Sequence, residues 1–180
     1  MKKLILLTLV CFSCSRELIV RTDFDKSFEI HRNSTYSWLD NKNIEIRNNP
    51  LYYNELNDKR IKDAVNLELS NKGYTLTDNA AELIVHYHIV VENRTAIQTD
   101  PYGYNYGIYW TRGQTDVYRY REGTLAIDFM DARNRNLIWR GSATSIIDDD
   151  DQITEETINK AVAKIFMSFP VSVKKEIVTQ

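Results

Sequence analysis

The residues that could do chemistry in this chain are few. Cys11 and Cys14 close an apolar N-terminal run, Leu4 to Val10, that follows the basic pair Lys2-Lys3. A positive start, a short apolar core and the small residue Ser13 directly before Cys14 fit a bacterial lipoprotein signal, cut before Cys14 and acylated there. Cys11 follows branched Val10, a poorer cleavage context. Cleavage before Cys14 discards Cys11, so the mature chain keeps one cysteine, spent on lipid, with no disulfide and no free thiol. An ordinary signal peptide cut after Ser13 or Ser15, without lipid, is the competing reading. The box is loose, with Cys11 where leucine is usual.

His86 and His88 stand two apart, a spacing that puts both on one face of a strand and can hold a metal. No third ligand is evident from the order of residues, although His31 is a candidate in space. The pair is therefore read as polar residues on a half-exposed face, with no metal. Asp148 to Asp151 lacks the turn glycine and the twelfth-position glutamate of a calcium loop, and reads as a solvated helix start. Asp128 and Asp131 are an odd number of residues apart along a strand, so they do not form a catalytic dyad. There is no Gly-x-Ser-x-Gly elbow, phosphate loop or zinc spacing. No catalytic residue and no cofactor is assigned, and the chain is read as a non-enzyme.

The aromatic segment between Thr99 and Gly113 is the candidate binding surface. It contains Tyr102, Tyr104, Tyr106, Tyr109 and Trp110, interleaved with Gly103 and Gly107. Tyr and Trp offer large contact area with few rotatable bonds. The plainer readings are packing on the polar face of a sheet, or a mobile loop.

Elements must position these groups. The 180 residues give one domain after cleavage, with residues 1–13 as signal, 14–17 as a short tether and 18–180 as the domain. Hydrophobic content of 43% supports a core, and 27% charged residues with net charge -2 describe an ordinary soluble surface. No Lys/Arg stripe is present, so nucleic acid is not expected as a partner. Leu18 to Phe24 reads as a first strand, and the tether from Cys14 reaches roughly 15–20 Å. Thr35 to Leu39 reads as a second strand, with Tyr36 and Trp38 on one face. Helical spacing runs from about Asn54 to Asn71, ended by Gly73. Glu82 to Glu92 alternates as a strand, with Leu83, Val85, Tyr87, Ile89 and Val91 on its apolar face.

Gly123 to Gly141 reads as a hairpin turning at Ala132 to Asn136. The pairing that places Phe129 opposite Trp139 also places Asp128 opposite Arg140, and both pairs favour it. A second helix, about Ile153 to Ser168, carries Ile158, Ala161, Val162 and Ile165 on one face before Pro170. The fold expected is α+β: a mostly antiparallel, mixed sheet of about five strands with two helices on one face.

With these elements placed, the chain resembles the DUF4136 lipoproteins, a bacterial family of unassigned biochemical function. The stretches that match are Asp23-Phe24-Asp25 with Thr35-Tyr36-Ser37-Trp38, Ile61 to Gly73-Tyr74, Ala81 to Val85, Glu122 to Asp128 with Leu137 to Ala143, and Ala161 to Pro170. The hairpin is the most specific of them. Family members often carry Phe-x-x-Tyr ahead of Thr-Tyr-x-Trp, whereas Phe28 here is followed by Glu29-Ile30-His31, so the path of residues 26–34 departs from the pattern. The resemblance implies a lipid-anchored protein of the bacterial cell envelope, at the outer membrane, and supplies no catalytic residues. The expected role is contact with a protein partner or self-association, the membrane being reached through the lipid. Small-molecule or glycan binding by loop 99–113 is the alternative, and a cryptic hydrolase using His86 or His88 beside a carboxylate comes last.

Overall fold

A computed structural model describes residues 18–28, 34–39, 52–99, 115–147 and 153–170. The elements are β1 (Ile19–Phe24), β2 (Thr35–Trp38), helix α1 (Glu55–Asn71), β3 (Thr75–Leu76), β4 (Leu83–Thr99), β5 (Thr115–Asp131), β6 (Leu137–Ile147) and helix α2 (Glu155–Phe166). They form an α+β fold with one six-stranded mixed sheet in the order β1-β6-β5-β4-β2-β3. That is one strand more than the sequence implied. The extra one is β3, a two-residue parallel addition to β2, too short to show any periodicity. No helix among the described residues is long and apolar enough to cross a membrane.

Both helices begin where side chains can take up the orphan amides of a first turn. The Asn54 side chain accepts the Asn57 amide of α1 at 2.9 Å. Thr154 and Thr157 form a reciprocal capping box at the start of α2. Helix α1 ends in a full Schellman turn: the Gly73 amide donates to Ser70 O at 3.0 Å and the Tyr74 amide to Leu69 O at 2.9 Å. Gly73 has φ 88, a backbone state that glycine enters without steric cost.

The inner face of the sheet and the two helices enclose the core. Val85, Tyr87, Ile127, Phe129 and Trp139 come from the strands, Ile61, Val65 and Leu69 from α1, and Val162, Ile165 and Phe166 from α2. Tyr36 and Trp38 share a face of β2, and their Oη and Nε1 both donate to Asn66 Oδ1 of α1, at 2.8 and 3.1 Å. Burial pushes the Tyr36 phenol up to about 12, so it stays protonated as a donor.

The hairpin register is as the paired residues demand. Phe129 faces Trp139 and Asp128 faces Arg140, with an irregularity at Phe129/Met130 just before the turn. The Phe129 and Trp139 rings meet edge to face, centroids 5.5 Å apart. Asp131 starts the turn, as expected: its Oδ1 accepts the Arg133 amide at 2.8 Å, which is Asx-turn geometry. Arg133 holds that carboxyl below the usual range through its side-chain and backbone donors.

Three boundaries differ from the sequence reading. Strand β4 continues past Glu92 to Thr99, β5 begins at Thr115 rather than Gly123, and β6 continues past Gly141 to Ile147. The β4 and β5 extensions run beyond the core, and their sequences show no two-residue hydrophobic alternation.

Candidate functional site

Three features could serve function: a projecting arm, a polar cluster and an apolar groove. The arm follows from strand lengths. β4 and β5 pair over all 17 residues each, from Leu83↔Asp131 to Thr99↔Thr115. Their neighbours stop early. β6 reaches only as far as Arg121, opposite Ile147, and β2 only as far as Val85. Residues 94–99 and 115–120 are therefore a two-stranded ribbon about 20 Å long. No third strand flanks it among the described residues.

A ribbon of two strands is marginal in water without support. At its base Arg94 pairs with Glu92 at 2.7 Å and with Glu122 at 2.9 Å, relieving the repulsion of two facing glutamates. Arg121 donates to the Tyr52 hydroxyl at 3.2 Å. The Tyr53 hydroxyl covers the edge of β4 lower down, accepting from the Ile89 amide at 2.8 Å. Higher up, Ile97 and Val117 face each other with 68% and 58% of their surface exposed, and Tyr118 is half exposed.

The aromatic residues expected to bind, Tyr102, Tyr104, Tyr106, Tyr109 and Trp110, lie outside the described residues, as do Cys14, His31 and the run Asp148–Asp151. The described strands lead directly into the segment that holds these aromatics. Sequence reasoning missed the apolar residues of the arm. The signal available was Ile97 and Val117 within otherwise polar stretches, which only a known β4–β5 register would have paired.

The polar cluster sits on the sheet face opposite the helices. Register sets it: His86 is opposite Asp128, and Asp128 is opposite Arg140, one row across three strands. Arg140 grips Asp128 with both prongs, Nε to Oδ1 at 2.6 Å and Nη2 to Oδ2 at 2.5 Å. His88 Nε2 lies 3.3 Å from Asp128 Oδ2 and 3.0 Å from His86 Nδ1. His86 and Asp128 are buried, and the His88 side chain keeps 35% of its surface exposed.

Burial on its own pushes the Asp128 carboxyl up. Hydrogen bonds and charge from Arg140 and His88 outweigh it and bring the group from 3.8 down to about 2. The pair Asp128 and Arg140 thus came from the sequence, and the two histidines joined it only once β4 was in register with β5. A histidine beside a carboxylate is the minimum a hydrolase would need.

The groove lies on the helix side, near the N-terminal strand. It is a cavity of about 410 Å³ lined by Leu18, Ile61, Ile89, Leu125, Ile153 and Ile158, among others. Gly123, Ala143 and Ile147 also line it.

Comparison with known proteins places the chain by fold. A crystal structure of a PDZ domain protein from Parabacteroides distasonis superposes with a TM-score of 0.52 at 13% identity, over 86% of this chain and 36% of that one. The chain thus spans about a third of that protein's length. The PelC dodecamer structures from Paraburkholderia phytofirmans align at a TM-score of 0.42 and 8% identity, over 83% of this chain and 94% of theirs. No curated protein matches. The family described as "Domain of unknown function (DUF4136)" matches residues 20–171, which include every described strand but the first residue of β1, both helices, the arm and the polar cluster, and the chain belongs to that family.

Proposed function

We propose that the protein is an exported, lipid-anchored module of the bacterial cell envelope that works by binding, using its β4–β5 arm to engage a protein partner, a second copy included. The arm is the observation that supports this most directly. It stands clear of the sheet with exposed Ile97 and Val117 at a place where monomeric proteins seldom leave apolar residues in register. It also leads into the Tyr/Trp segment. The anchor is Cys14 at the outer membrane, and Leu18 follows it closely enough to hold the domain against the bilayer.

The test uses intact cells. A photo-crosslinking residue at Ile97 or Val117 is expected to give one discrete higher-mass product, at double mass for self-association or at another mass for a different partner. The same residue at exposed Leu67 of α1 is expected to give none. Cys14→Ala is expected to release the chain from the membrane fraction and abolish the product. Equal products from the arm and from Leu67 would overturn the reading.

One observation favours a second reading, binding of a small molecule: the groove has the volume of a ligand site. Its aliphatic lining suits an apolar ligand rather than a glycan. A fluorescent fatty acid is expected to bind it, with Ala143→Phe reducing the affinity tenfold or more. Unchanged binding in that variant would remove the groove from consideration.

A further inference from the structure

We propose that His86 Nδ1, His88 Nε2 and a carboxylate oxygen of Asp128 form a binding site for a divalent transition-metal ion of the zinc class. One ligand atom from each residue lies within 4.8 Å of the other two. Two of the separations are 3.0 and 3.3 Å. Around an ion with bonds of about 2.0–2.1 Å in tetrahedral array, ligand atoms stand about 3.3 Å apart, so two of the three edges already have the right length. The third edge needs to close by at most about 1.5 Å.

His88 Nε2 stands between His86 Nδ1 and Asp128 Oδ2, so a cation seated there would meet two imidazole nitrogens and a carboxylate oxygen at once.

The surroundings fit. Both histidines come from one strand and the carboxylate from the directly opposite residue, so the ligands sit on a rigid sheet. Arg140 binds both carboxylate oxygens and fixes their plane, in the way that outer partners orient metal ligands. Its positive charge opposes the cation, which sets the expected affinity at micromolar rather than tighter. Two imidazoles and one carboxylate select zinc, copper or nickel over calcium and magnesium. The next row across the sheet is His88, Ala126 and Ser142. The small side chains of Ala126 and Ser142 leave room beside partly exposed His88 for a fourth ligand, a water or a group from a partner.

The experiment is calorimetric titration of the full chain, purified in detergent and stripped with chelator, with zinc chloride. One ion per chain is expected, with visible absorption bands of tetrahedral cobalt(II) when that ion is used instead. His88→Gln is expected to weaken binding tenfold or more and to abolish the rise in melting temperature that zinc gives the wild type. Asp128→Asn, which keeps the shape of the side chain, should do the same. No binding, or binding that survives both His88→Gln and Asp128→Asn, would overturn the site. A variant that melts early without zinc is judged on the zinc-induced shift alone.

Discussion

Replacing Arg140 with alanine is expected to destabilise the fold by about 2–4 kcal/mol near neutral pH and by much less in acid. Asp128 is buried with 6% of its side chain exposed, while Arg140 is half exposed. Removing the arginine leaves a carboxylate that has lost its water and its main partner. Breaking a buried pair costs about 3–5 kcal/mol, and the figure here is lower because Arg140 itself is partly solvated. The pH dependence follows from the direction of the shift. Asp128 titrates at about 2 in the folded chain, against 3.8 for an ordinary carboxyl. Its contribution is therefore complete above the unfolded value and is lost as pH falls from 3.8 through about 2. In Arg140→Ala that carboxyl gives up the favourable term at every pH, so variant and wild type should converge as acid protonates both. Urea denaturation at about pH 7 and about pH 3 reads the two gaps. Equal gaps at both values would show that Arg140 acts through packing of its stem instead.

The second large effect is expected at Gly141. A methyl group there would lie 2.5 Å from Ile165 Cγ2 and 2.8 Å from Trp139 Cζ2, closer than real contacts allow. Its backbone angles are ordinary, so the residue is glycine for space. Trp139, two residues earlier on the same face, lays its indole over the gap and packs against Phe166 and Phe169 at 6.0 and 4.9 Å. Gly141→Ala must push the indole or helix α2 outward, at a cost of about 2–3 kcal/mol. Trp139→Phe draws the ring back. It also removes an indole N–H that is buried with no acceptor among the described residues. The double variant should be more stable than the two single effects summed, by about 1 kcal/mol or more. Strict additivity in thermal or urea unfolding would sink the idea that ring and glycine form one unit.

These residues also show what the sequence makes legible. Phe129, Trp139, Asp128 and Arg140 announced their register because a five-residue turn fixes which positions face each other, and an aromatic pair and a charge pair agreed. The helices announced themselves by Ile61, Val65 and Leu69, and by Ile158, Val162 and Ile165, because each buries a stripe. The polar cluster was half visible. His86 and His88 advertise a shared face, but the carboxylate that joins them sits 40 or more residues away, across a connection whose length sets no register. The arm was not legible as strand. Hydrophobic alternation records a buried face, and these stretches, with Ile97 and Val117 exposed, carry none to record.

Strand β1 adds a matter of timing. Residues 19–24 find their one partner strand at residues 139–144, so the first strand made is among the last to be placed. The β5–β6 hairpin can form from neighbours alone, whereas β1 must close a loop spanning most of the domain, at an entropic cost that slows the search. For a chain synthesised N-terminus first, residues 19–24 stay unpaired until nearly all the rest has emerged. That interval, rather than the finished sheet, is when such a strand is most open to capture by a chaperone or by the same edge of a sister chain.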